Sequence, residues 1–152
     1  MRLSECLLLV AAAFSWLLPV HVNAQESNDS LNLSRPIISD LHGERVQKII
    51  YFQPVTISVT VNNNLYDADK PMIGLIEVRG QSGVTLFIAY QSLSISHGED
   101  YTFGVSWMPD SWQEEYPGDY SARTFVVTCF CNTAEPLSQV LQSDVEVDYP
   151  AS

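Results

Sequence analysis

The chain has 152 residues, with 7 Lys or Arg against 18 Asp or Glu, a net charge of −11 and 46% hydrophobic residues. That is apolar material enough for one domain with a real core, and too much for a chain that stays unfolded. The acidity argues against nucleic acid and anionic membrane as partners, because both would be repelled.

Arg2 precedes an apolar run, Leu7 to Val20, that is too short to span a bilayer comfortably and is broken at Pro19. Val22-Asn23-Ala24 offers small residues where a signal peptidase reads, so residues 1–24 are expected to be a signal peptide cleaved after Ala24. An uncleaved N-terminal anchor is the competing reading, and the short run followed by a cleavage site argues against it. Cys6 lies before the run and is not placed for lipid attachment. No second apolar stretch follows, so the mature chain is expected to lack a transmembrane anchor and to be secreted, extracellular or associated with the cell surface. Its charge stays at −11, since Arg2 and Glu5 leave together.

Residues 25–35 (QESNDSLNLSR) are polar and aperiodic and read as a disordered leader. They hold two N-x-S sequons, at Asn28 and Asn32, which are candidate glycosylation sites in exported sequence. From Pro36 onward the pattern is that of short strands. PIISDLHGERV, with Asp40 and Gly43 at turn positions, reads as a first edge strand that breaks and resumes. Val55, Ile57, Val59 and Val61 alternate with Thr56, Ser58, Thr60 and Asn62, the cleanest period-two segment of the chain. MIGLIEVR (Met72 to Arg79) is a further strand, followed by a turn at Gln81-Ser82-Gly83. Val84 to Ile95 then alternates, with Val84, Leu86, Ile88 and Tyr90 expected inward. EDYTFGVSWMP puts Tyr101, Phe103, Val105 and Trp107 on one face. The polar connector DSWQEEYPG leads into GDYSARTFVVTCFC. LSQVLQSDVEVD closes the chain with Leu141, Val145 and Val147 on one side, and 149–152 is a tail. No stretch of ten residues or more has helical periodicity. The expectation is all-β, an immunoglobulin-like two-sheet sandwich of about seven antiparallel strands over 36–148. Trp107 and Tyr120 should bracket the connector, and the Tyr120 hydroxyl is placed to bond the backbone a few residues upstream, as a tyrosine corner does.

Trp107-x-Pro109, a variable loop, then Gly118-x-Tyr120 and an alternating strand is similar to immunoglobulin-like domains of the CARDB and related kinds, found in secreted and surface proteins of archaea and bacteria. VTISVTVNN and the turn RGQSGV resemble the early strands of the same family. The resemblance covers roughly Pro36 to Asp148 and implies a fold, together with adhesion, spacer or protein-binding roles. Those domains mostly sit within longer chains, whereas this one is expected to stand alone, which argues against a spacer role.

Cys129-x-Cys131 is the most unusual feature of the mature chain. In an extended strand the two thiols would share a face with their β-carbons too far apart for an unstrained disulfide. A bridge closed by a local turn at Phe130, a bond to another chain, a pair of free thiols and a soft-metal site all stay open. As a metal site, Cys129 and Cys131 suit Cu(I) or Zn(II), with His42, His97, Met72 or Met108 as further ligands, although none of these stands at a ligand spacing from the cysteines. Otherwise no cofactor is expected. Asp67 and Asp69 in one loop, and Asp110, Glu114, Glu115 and Asp119 in the connector, could offer oxygens to a hard cation, but neither loop carries the twelve-residue calcium pattern. No catalytic motif is present, so an enzyme is not expected. Trp112 and Tyr116, aromatics on a polar connector with no strand face, are the candidate partner-binding residues; covering the open edge of the core is their alternative role. The expected function is an exported, non-enzymatic interaction module that contacts another protein or a cell-envelope component. A homo-oligomer is compatible with it, and a copper- or zinc-handling protein is the second reading.

Overall fold

A computed structural model describes residues 31–64, 71–110 and 117–149. They form nine strands and no helix: β1 (Leu31–Leu33), β2 (Ile37–Ser39), β3 (Lys48–Ile50), β4 (Val55–Asn63), β5 (Met72–Arg79), β6 (Thr85–Leu93), β7 (Asp100–Trp107), β8 (Gly118–Val127) and β9 (Leu141–Asp148). In a four-stranded sheet, β4 pairs with β7 on one side and with β1 and β2 in succession on the other. A five-stranded sheet has the order β3-β9-β8-β5-β6. The two sheets pack face to face, so the all-β sandwich expectation holds. Two details differ from it: the described strands number nine rather than about seven, and β3 runs parallel to β9.

Both differences come from the N-terminal stretch. Leu31–Leu33, expected to lie in a disordered leader, pairs with β4, and buried Leu31 gives this short strand an apolar anchor. Asn32 sits in it with its side chain exposed. Ser34 continues the edge by exchanging two bonds with Thr60, its N–H donating to the carbonyl at 2.8 Å and its Oγ accepting the amide at 2.9 Å. After β2 the chain turns around Asp40, whose Oδ1 accepts the N–H groups of His42 and Glu44 at 2.9 Å each. It then crosses to the opposite sheet as β3. The edge strand does break and resume, and it resumes in the other sheet. Residues 1–24 and Asn28 lie outside the described residues.

Val55, Ile57, Val59 and Val61 are all buried, as their alternation requires, as are Phe103 and Trp107 from β7 and Val145 and Val147 from β9. Tyr120 is buried with its ring 6.1 Å from that of Trp107, so the pair brackets the connector as expected. Its hydroxyl lies 3.2 Å from the hydroxyl of Tyr51, which enters from the turn after β3. Residues 111–116, where much of the expected corner lies, fall outside the described residues.

β6 is turned over relative to its expected phase. Ile88 and Tyr90 are 58% and 66% exposed, Val84 is exposed as well, and Leu93 takes the core side. Val78 pairs with Phe87 but Arg79 pairs with Thr85, so Leu86 is an extra residue in β6, and this bulge shifts the alternation. The segment is apolar on both faces, which leaves periodicity nothing to choose between.

One glycine sets the spacing of the sheets. A Cβ on Gly74 of β5 would lie 2.6 Å from Cζ of Phe103 and 3.0 Å from Cδ1 of Leu93. Phe103 crosses the core from the other sheet and rests on the bare backbone there. Gly74→Ala is therefore expected to overpack this contact and destabilise the fold by about 1–3 kcal/mol in urea unfolding. Phe103→Leu in the same chain should recover part of the loss; a Gly74→Ala protein as stable as the parent would contradict this packing.

Candidate functional site

The outward face of the five-stranded sheet is not a solvated polar face. In β5 the outward residues Leu75 and Glu77 are buried along with the inward Ile76 and Val78. Strand register explains the cover. Leu75 stands between Tyr90 of β6 and Phe125 of β8, and Glu77 between Ile88 and Arg123. The face thus carries an apolar layer and, next to it, an ionic one.

In the ionic layer the Glu77 side chain is 8% exposed and pairs with Arg79 Nε at 2.9 Å and Arg123 Nη1 at 3.2 Å. The Thr85 hydroxyl donates to the same carboxylate. Burial pushes the Glu77 carboxyl up, but the hydrogen bonds from Thr85 and Arg79 and the two guanidinium charges outweigh it and hold the group below the usual carboxylate range.

The apolar layer is completed by the segment after β8. At Val127 the chain leaves the sheet and folds back: Thr128 N–H donates to the Glu135 carbonyl at 3.0 Å, Ala134 N–H to the Cys131 carbonyl at 3.0 Å, and Leu137 N–H to the Val126 carbonyl at 2.8 Å. Inside this bend Cys129 and Cys131 form a disulfide, with Cα atoms 5.4 Å apart. In an extended strand the β-carbons of residues two apart would be about 6.6 Å from each other, beyond the roughly 4 Å a disulfide spans, so the bend is what brings the pair into bonding range. Of the readings left open by the sequence, the bridge closed by a local turn at Phe130 is the one observed. For the copper or zinc reading, the two sulfurs are bonded to each other here, so neither stands as a free thiolate. Its other ligands are also dispersed: Met72 is buried in the core, His42 and His97 lie in separate turns, and Met108 follows β7. Among the described residues no three His, Cys, Asp or Glu side chains converge as a metal would need.

The bend carries Phe130 at its tip. The ring is 58% exposed and meets Tyr90 edge-on, with centroids 4.8 Å apart and planes at 85°. Leu75, Phe125, Val127, Phe130, Ala134 and the disulfide line an open recess of about 430 Å³. Closing a three-residue loop removes little chain entropy, on the order of 1.5 kcal/mol, about half the figure for a fifteen-residue loop. The disulfide is therefore a weak staple for the whole fold. Its local effect is larger, because it fixes the turn that presents Phe130.

Trp112 and Tyr116 lie outside the described residues, as do Asp67, Asp69, Glu114 and Glu115. Asp119 is exposed at the start of β8 and Asp110 is partly buried after β7. Sequence reasoning missed the Glu77–Arg79–Arg123 cluster and the Tyr90–Phe130 pair. An acid in the middle of MIGLIEVR and an arginine in the middle of SARTFVV were the available signal for the first.

No known family model matches the chain, and no curated protein matches it in sequence. Among solved structures it is similar to the C-terminal domain of wzt, with a TM-score of 0.61 and 15% identity over 81% of this chain and 75% of that one. The CARDB domain of a Pyrococcus furiosus protein, solved in complex with di-metal ions, gives a TM-score of 0.50 and 17% identity over 79% and 90%. A β-glucosidase from Erythrobacter marinus gives 0.52 and 16% over 78% of this chain, but over only 15% of its own length. At these identities the likeness is one of fold. The chain is an immunoglobulin-like β-sandwich, and the resemblance to CARDB domains holds at that level.

The ionic layer yields a test. Its folded pKa lies below the unfolded one, so Glu77 contributes stability that is present above the ordinary carboxylate range and lost as pH falls through the folded value. Glu77→Gln should cost about 1.5–3 kcal/mol at pH 7, and the urea-unfolding curves of variant and parent should draw together toward pH 3. A gap of equal size at both pH values would show that the charge is not what the cluster uses.

Proposed function

We propose that this protein is an exported, non-enzymatic interaction module that binds another protein or a cell-envelope component through the outer face of its five-stranded sheet. The observation that carries the reading is the exposure of Ile88, Tyr90 and Phe130 side by side over buried Leu75. Clustered aromatic and aliphatic side chains on a rigid sheet bury much area at low entropic cost, which suits them as anchors of an interface. The disulfide adds preorganisation by fixing Phe130 before binding. The acidic remainder of the surface would steer the approach of a partner and add little affinity. Likeness to one domain of much longer chains also supports a module.

The protein, immobilised and exposed to the extracellular and envelope fraction of its source, should retain a defined partner. Tyr90→Ser/Phe130→Ser should abolish that capture while the chain stays folded, with a melting temperature only a few degrees lower, since both residues are more than half exposed yet help to cover Leu75. Cys129→Ser/Cys131→Ser should lower stability by only about 1.5 kcal/mol yet weaken capture strongly. Leu41→Ser, at an exposed residue in the turn after β2, is the control that should change nothing. Capture that survives Tyr90→Ser/Phe130→Ser would place the binding surface elsewhere.

A further inference from the structure

We infer that two copies of this chain associate edge to edge through β6, antiparallel about a twofold axis, so that their five-stranded sheets join into one. The inference deepens the preceding reading by naming a second copy as one partner of the same outer face. It rests on the open backbone edge of β6, whereas that reading rests on the exposed face of Ile88, Tyr90 and Phe130.

β6 ends its sheet: β5 flanks it on one side, and among the described residues no strand pairs with the other. An open edge is a template for another strand, and proteins usually blunt it by making it short or by placing charge or proline on it. The opposite edge of the same sheet is treated in that way. β3 is three residues long and carries Lys48 in ion pairs with Glu146 at 3.2 Å and Asp148 at 2.8 Å. The edge at β7 presents Thr102, Gly104 and Ser106 outward and begins at Glu99-Asp100. β6 is nine residues long and has none of these protections apart from the bulge near its start. From Gly80 to Gly98 the chain holds no Asp, Glu, Lys or Arg.

In a chain of net charge −11, this uncharged interval identifies the occupant. A partner recognised by charge would be drawn to the acidic surfaces, not to the interval from which they are missing. Two copies of the same acidic chain have the opposite requirement. They repel each other over most of their surface and can approach at least cost where the charge is absent. Antiparallel pairing about a twofold axis is also self-complementary: the row holding Ile88 and Tyr90 on one copy meets the same row on the other. Aromatic side chains opposite β-branched ones are favourable cross-strand neighbours, and no like charges face each other. The two apolar outer faces then adjoin across the axis, so that self-association extends the surface around Phe130 without covering it.

Sedimentation velocity on the purified protein between 1 and 100 μM should show a dimer that tightens between 0.05 and 0.5 M NaCl, as screening relieves the repulsion. Ile88→Lys and Tyr90→Lys, both at exposed side chains, should each weaken the dimer at least tenfold while the circular dichroism spectrum stays that of the folded parent. Thr102→Lys on the β7 edge should leave it intact. A parent that stays monomeric throughout this range overturns the inference, as does a dimer that survives both β6 substitutions or dissociates on Thr102→Lys. A monomeric result would leave capture through Phe130 untouched, so the two readings fail separately.

Discussion

The structure depends on the burial of β5 on both of its faces. A strand in a two-layer sandwich normally has one side in the core and one in water. Here Ile76 and Val78 fill the core side while Leu75 and Glu77 are withdrawn from solvent on the other. Something must cover them, and the rest of the outer face follows from that need. Arg79, Arg123 and Thr85 neutralise and bond the carboxylate, and Tyr90, Phe125 and the bend after β8 close over the leucine. A buried carboxylate without those partners would be expensive, and a buried leucine without that cover would simply be exposed. The core side adds its own constraint, because Phe103 rests on Gly74 and so fixes how closely the sheets approach.

The disulfide acquires its meaning from the same geometry. A bond between residues two apart in sequence is a poor device for holding distant parts of a chain together. What it can hold is the direction of one side chain, and Phe130 is the residue it encloses. Tyr90 receives that ring from an edge strand that exposes Ile88 and Tyr90 and carries no charged residue of its own. Phe130, Tyr90, the uncharged strand β6 and the disulfide are therefore adjoining parts of one face.

How much of this was legible in the sequence depended on whether each strand had one face or two to hide. β4 was readable because Thr56, Ser58, Thr60 and Asn62 mark its wet side unambiguously. β7 was readable for the same reason, with Thr102, Gly104 and Ser106 opposite Phe103 and Trp107. β6 was misphased because both of its faces are apolar and a single extra residue at Leu86 decides the outcome. The strand at Leu31–Leu33 was hidden by its polar surroundings, since three residues are too few to show a period. The partnership of Glu77 with Arg123 required knowing that β5 lies beside β8, information that no local pattern holds. The cysteine pair was recognised as unusual, but a strand drawn through Cys131 made its closure look strained. The strand in fact ends at Val127.

The oxidised bend sets Phe130 against Tyr90 over the outer face of the sheet. Nuclear Overhauser spectroscopy on the protein in solution tests this most directly. Cross-peaks are expected between the Phe130 and Tyr90 ring protons and from both rings to the Leu75 methyl groups, which should be shifted by ring currents. Those cross-peaks should fade when a reducing agent opens the disulfide, while the core contacts of Phe103 persist. Their absence in the oxidised protein, with Phe130 giving the signals of a freely rotating solvent-exposed ring, would show that the bend does not hold Phe130 against Tyr90.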